Sequence, residues 1–129
     1  MRYEAPGSVD EAVTLLADAN GAARVLAGGT DLLVQLRAGL ISPDVVVSIK
    51  NISETQGITA DGDGFCIGAS VSGAEMGENE ALASAWPGVV EGTELIGSTQ
   101  IQSRATMAGN LCNASPAADS VPALIAAGA

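Results

Sequence analysis

Helical and extended patterns alternate along the first fifty residues, and that alternation limits the fold more than any other feature. Ser8-Val9-Asp10-Glu11 has the form of a capping box, a serine followed three residues later by a glutamate. Ala12, Leu15, Leu16 and Ala19 then recur at helical spacing, and Asn20-Gly21 supplies a left-handed stop. Residues 23–27, ARVLA, read as a short buried strand. After Gly28-Gly29, Thr30 is placed to cap a second helix whose apolar face is Leu32, Leu33, Leu36 and Leu40. Pro43-Asp44 ends that region, and VVVSI at 45–49 is a strongly β-branched strand. Strands separated by helices need crossover connections, so the pattern predicts a parallel sheet in a small α/β unit.

Asn51 to Gly57 marks a boundary between a first α/β subdomain, residues 1–52, and a second, residues 53–129. Beyond it, ITADGDGFCIGAS predicts two short strands around the turn Asp61-Gly62-Asp63-Gly64. The acidic DGDG also invites a calcium reading, but the later ligands of a calcium loop, above all a bidentate glutamate, are missing. The hairpin turn is therefore preferred. Ser72-Gly73-Ala74-Glu75 is a second capping box, opening a helical stretch that includes Ala81 and Leu82. Pro87 suits the first turn of another helix, with Val89, Val90 and Ile96 on one side and Gly97 as its stop. VPALIAAGA predicts a final helix stopped by Gly128. A helix in an α/β unit normally returns the chain to a strand. The second subdomain is thus expected to be incomplete, finished by a partner chain or by more of a longer protein.

The length of 129 residues suits about one domain with a real core. Tyr3, Phe65 and Trp86 are the only aromatics, so that core must come from Ala, Val, Leu and Ile. Five basic residues against fifteen acidic ones give a net charge of −10. Arg2, Arg24, Arg37, Lys50 and Arg104 are scattered and form no basic stripe, which argues against nucleic acid and anionic membrane surfaces as partners. Cys66 and Cys112 stand alone, and the chain has no histidine, which excludes the common zinc and haem frameworks. Both thiols are expected to be buried in a reducing compartment. The opening MRYEAPGS has no apolar signal region, and no stretch is long enough to cross a bilayer. The expectation is a soluble cytoplasmic protein without membrane insertion.

Without histidine, the common general base and the usual catalytic triads are absent. Neither cysteine has a basic partner of that kind, and no carboxylates form a recognisable acid/base pair by spacing. Any catalytic reactivity would come from a cofactor. Two polar, glycine-bearing loops remain, at 27–31 and 105–119. The first follows a strand and precedes a helix, an arrangement that exposes backbone N–H groups to an anion. Glycine there admits unusual backbone angles and close approach of an oxygen, so a phosphate or diphosphate is the natural ligand; a plain turn explains AGGT equally well. It fits neither the dinucleotide fingerprint GxGxxG nor the Walker pattern. The second, ATMAGNLCNASPAADS, carries Thr106, Asn110, Asn113, Ser115 and Asp119 among small residues, groups suited to a polyhydroxylated ligand. Long structureless segments in compact domains tend to be functional, and the pairing of two such loops favours a binding site.

The pieces YEAPGSVDEAVTLL, LAGGTDLL, IGASVS and IGSTQIQSRATMAGNLCNASPAADSVPALIA occur in this order along the chain. Together they resemble the flavin-binding medium subunit of molybdenum hydroxylases of the carbon-monoxide-dehydrogenase and xanthine-dehydrogenase type. The resemblance implies an FAD domain of the vanillyl-alcohol-oxidase type, with two α/β subdomains and the cofactor between them. It implies that Ala27, Gly28, Gly29, Thr30 and Asp31 present backbone N–H groups to the FAD diphosphate, with Leu26 and Leu32 flanking them in the cofactor-binding set. Thr106, Gly109 and Asn110 would approach from the second subdomain, while Asn113 and Asp119 match positions at the flavin or its ribityl chain. The family usually has two adjacent glycines where this chain has Ala108-Gly109, and its members are longer.

The resemblance further implies an oxidoreductase subunit with no catalytic side chains of its own. Substrate would be oxidised at a molybdenum cofactor on a large subunit. Electrons would pass through [2Fe–2S] clusters on a small subunit to FAD, and then to an external acceptor. Two other readings accompany this one: a flavin-free assembly module of the same complex, and a free-standing flavin oxidoreductase.

Overall fold

In the computed structural model, which describes residues 1–129, the alternating segment forms β1 (Arg2–Glu4), α1 (Val9–Asp18), β2 (Ala23–Leu26), α2 (Leu32–Arg37) and β3 (Val45–Ser48). The strands make a parallel sheet in the order β1-β3-β2, with Leu26 opposite Ser48. All of β3 is buried, as a central strand covered on both faces must be, which is why its run has no polar alternation. The chain moves outward past β3 through α1 and returns through α2. Right-handed crossovers then put the two helices on opposite faces and leave β2 as an edge. α1 sets Ala12 against Val45, Val47 and Ile52, with Leu15, Leu16 and Ala19 around them.

The local signals around α1 are largely realised. Asn20 and Gly21 take φ values of 47° and 86° and end the helix as predicted. Ser8 Oγ accepts from the Glu11 N–H at 3.3 Å, but the Glu11 carboxylate bonds the Gly7 N–H at 2.9 Å instead of closing on Ser8. The capping box is thus half formed.

α2 departs further from expectation. Asp31, not Thr30, holds its N-cap position, and no side chain caps it. Leu33 and Leu40 are exposed, and no residue of α2 is buried. The helix stops at Arg37, and Gly39 turns at φ 69°, so Leu40 never joins the face on which helical spacing would place it.

After a 3₁₀ turn at Ser53–Thr55, β4 (Ile58–Asp61) and β5 (Gly64–Ile67) form an antiparallel hairpin with Gly62 at φ 58° in its turn. Five helices follow: α3 (Gly73–Glu78), α4 (Glu80–Ala85), α5 (Pro87–Glu94), α6 (Met107–Cys112) and α7 (Ser120–Ala127). Val71, Met76, Leu82, Val89 and Val90 form their core, against which Phe65 and Ile67 pack. Alternation along β5 therefore turns Cys66 outward, and Cys112 lies on the open side of α6. Both thiols are exposed, contrary to the burial expected from their isolation.

The second capping box is complete, with Ser72 and Glu75 bonding reciprocally. The helical stretch behind it breaks at Asn79, whose side chain accepts from the Leu82 N–H at 2.9 Å and starts α4. Residues 105–119 are not a structureless loop, because Thr106 caps α6 within them. Gly97 and Gly128 take φ values of 66° and 76°, as helix stops do. No helix is long and apolar enough to cross a membrane.

Candidate functional site

The outer edge of β2, the turn after it and the facing side of α6 enclose a cleft of about 480 Å³. Its position, outside the carboxyl end of a parallel strand, is the usual place for ligands in open α/β sheets.

The first wall is a surface of hydrogen-bond donors. The N–H groups of Gly28, Gly29, Thr30, Asp31 and Leu32 find no acceptor within the chain. Gly29 has φ 86°, the left-handed conformation that curls successive N–H groups into an anion-binding concavity. Gly28 has a different task. A Cβ there would collide with the Arg104 carbonyl oxygen and lie 3.1 Å from both Ala105 Cα and Thr106 N. One glycine turns the chain, and its neighbour lets the two walls meet backbone to backbone.

Lys50 fixes the orientation of the peptide between them. Its Nζ reaches the Gly28 carbonyl at 3.4 Å from a second, polar cavity behind the turn, lined also by Gln56, Ser70, Glu75 and Arg104. In a trans peptide the C=O and N–H point opposite ways, so drawing this carbonyl toward Lys50 turns the Gly29 N–H toward the cleft. In the same rear cavity, hydrogen bonds from the Ser72 backbone and hydroxyl hold the Glu75 carboxyl below the ordinary range, with desolvation opposing them.

The second wall uses its polar groups internally. Thr106 Oγ1 accepts from the Gly109 N–H at 3.0 Å and caps α6. A Cβ at Gly109 would lie 2.7 Å from that oxygen. Asn110 Oδ1 accepts from the Ser120 N–H at 3.2 Å and the Ser120 hydroxyl at 2.7 Å, leaving its amide NH₂ for other partners. Ser72 pairs with Thr106 as an isolated bridge, anchoring the wall to the rest of its unit. Asn113 Oδ1 accepts from Gln35 Nε2 at 3.2 Å, a bond that crosses from one wall to the other.

Of the residues singled out from the sequence, Ala27, Gly28, Gly29, Thr30, Asp31, Leu32, Thr106, Gly109, Asn110 and Asn113 line the cleft. Leu26 does not; it is buried, with its side chain 3.6 Å from where a Gly29 Cβ would sit. Asp119 is also outside the lining, at the N-cap of α7. Ala108 lines the cleft beside Gly109. The sequence reading missed Arg24, Val25, Gln35 and Cys112, and the apolar Ile49, Ala69 and Ile96. For Arg24 and Val25 a signal existed: the unbroken apolar run of β3 marks it as central, which leaves β2 on an edge.

A concave row of amide donors faces small residues, with Cys112 the one thiol on the lining and no histidine beside it. This arrangement can hold a ligand bearing an oxyanion, and a diphosphate fits it.

Comparison with known proteins agrees with this character. Residues 1–129 match the family described as "FAD binding domain in molybdopterin dehydrogenase". The chain is 34% identical over 125 residues to caffeine dehydrogenase subunit beta of Pseudomonas sp. (strain CBB1), covering 97% of this chain and 42% of that protein. It is 36% identical over 125 residues to the xanthine dehydrogenase FAD-binding subunit of Escherichia coli O157:H7, covering 95% of this chain and 42% of the relative. Its fold superimposes with a TM-score of 0.89 on reconstituted CO dehydrogenase from Oligotropha carboxidovorans, at 32% identity over 93% of this chain and 42% of that one. The chain thus spans less than half the length of these relatives. Its full-length family match, with its fold, shows that the chain belongs to the FAD-binding domains of molybdopterin dehydrogenases.

Proposed function

We propose that this chain holds FAD in the cleft between β2 and α6, as the FAD-binding part of the electron-transfer subunit of a molybdenum hydroxylase. The observation that carries this reading is the run of unpaired N–H groups from Gly28 to Leu32, shaped by Gly29 and facing α6. These amides would receive the diphosphate, with the Asn110 NH₂ and the small residues Ala108 and Gly109 closing on it from the other side. Asn113 would meet the flavin or ribityl side. Leu26 supports the turn from beneath, and Asp119, at the N-cap of α7, would act with Asn113 at the flavin or ribityl side.

Bound FAD exchanges one or two electrons, and the chain's part is to bind, orient and shield it. The partners are a large subunit carrying the molybdenum cofactor and a small iron–sulfur subunit with [2Fe–2S] clusters. When loaded, FAD would take electrons from those clusters and hand them to an external acceptor, in a cytoplasmic heteromeric complex. The names of the relatives support this: subunits of caffeine and xanthine dehydrogenases, the latter an FAD-binding one.

The test is flavin titration of the purified protein, read as quenching of FAD fluorescence. The wild type is expected to bind FAD, and Gly29→Val to lose binding, because a β-branched residue is strongly disfavoured at φ 86°. A wild-type protein that neither carries flavin nor quenches added FAD, yet associates stoichiometrically with a molybdenum or iron–sulfur subunit, would replace this reading with the assembly module.

A further inference from the structure

We infer that Arg24 is the counter-charge for the cofactor's diphosphate, an assignment that rests on the FAD reading above. A diphosphate brings concentrated negative charge to a chain whose net charge is already −10. Backbone dipoles alone are a weak answer, because α2 and α6, the helices flanking the cleft, have only six residues each. Among the five cations in the chain only Arg24 lines the cleft, where a side-chain charge can add to those dipoles. Lys50 and Arg104 line the cavity behind, Arg2 pairs with Glu4, and Arg37 sits in the last turn of α2.

The guanidinium of Arg24 is free for this task. Its Nη1 donates to the Ala23 carbonyl at 2.8 Å, and it forms no salt bridge with any carboxylate, Asp31 in the same cleft included. The remaining N–H groups of its five-donor fork have no partner within the chain. Alternation along β2 puts Arg24 on the same face as Leu26. That is the face over which the Gly29 turn folds, since the Leu26 side chain lies against Gly29. Arg24 and the row of free amides therefore converge from one edge of the sheet. A planar fork presents paired donors to phosphate oxygens, which a lysine cannot reproduce.

The experiment titrates FAD, ADP, adenosine and riboflavin into the wild type, Arg24→Gln and Arg24→Lys. The glutamine variant is expected to bind FAD and ADP about tenfold or more weakly, the range for charge-assisted hydrogen bonds, while adenosine and riboflavin are unaffected. The lysine variant recovers part of the loss. Raising salt weakens FAD binding to the wild type, and this dependence shrinks in Arg24→Gln. An unchanged unfolding temperature in Arg24→Gln separates lost contact from lost structure. Equal weakening of adenosine would place Arg24 on the adenine ring and overturn the assignment. Unchanged FAD and ADP binding would overturn it while leaving the FAD reading intact, and a wild type that binds neither would sink both.

Discussion

The two walls of the cleft are built on opposite principles. Between Gly28 and Leu32 the donors are backbone amides left without acceptors, and the one side chain bonded to that turn is Lys50, on the Gly28 carbonyl. Between Thr106 and Asn113 the polar side chains are committed within their own unit or across the cleft, to Gly109, Ser120 and Gln35. The first wall is therefore a binding surface held by backbone geometry, and the second is a scaffold held by side chains. Substitutions on the first should act through conformation and close contact. Those on the second should act through stability, with binding lost as a consequence.

The comparison is broken most decisively at Gly28, where the walls touch. Gly28→Ala puts a methyl into the Arg104 carbonyl and the Ala105–Thr106 backbone, none of which can swing aside as a side chain would. Overpacking against backbone is expected to cost about 3 kcal/mol and to abolish FAD binding. Thermal unfolding and flavin titration measure the two effects. Retained stability with normal FAD affinity would mean that the joint between the walls is loose.

Asn110→Leu sharpens the contrast from the other side. It leaves the buried Ser120 hydroxyl without its acceptor, a loss of about 1–3 kcal/mol. Denaturant unfolding should show this with or without flavin. A variant as stable as the wild type, but poor in FAD binding, would show that the Asn110 NH₂ on the cofactor outweighs the Oδ1 bonds to Ser120.

Gln35→Leu is the mildest of the three. Removing an exposed amide–amide bond should change stability by no more than about 0.5 kcal/mol. Because the bond spans the cleft, the expected signature is a severalfold faster release of FAD in stopped-flow fluorescence. An unchanged release rate would show that the two walls are held together at the Gly28 joint alone.

Much of the fold was legible in the sequence where the governing physics is local. Serine and glutamate at cap spacing, glycines at helix stops and DGDG between two short strands each reported the conformation of their own few residues. Where a competing local partner or packing elsewhere intervened, the local reading slipped. Glu11 bonded to Gly7 instead of Ser8, Asn79 divided one predicted helix into two, and Leu33 and Leu40 remained open to solvent. The cysteines show the same limit. Apolar character favours burial of a thiol, but the side of β5 that meets the core was fixed by Phe65 and Ile67.

The sequence by itself determined that a parallel α/β unit places a glycine turn between a strand and a helix, and that the chain has no histidine to serve as a base. Those conclusions follow from residue type and from spacing within a turn or two. Only the tertiary structure divided the work of the glycine pair. It set Gly28 against Arg104, more than seventy residues away in the chain, and left Gly29 to shape the donor row. It also brought Lys50 behind that row and Arg24 to the edge of the cleft. Close approach and convergent charge belong to surfaces, and a surface comes into being only when separate segments pack.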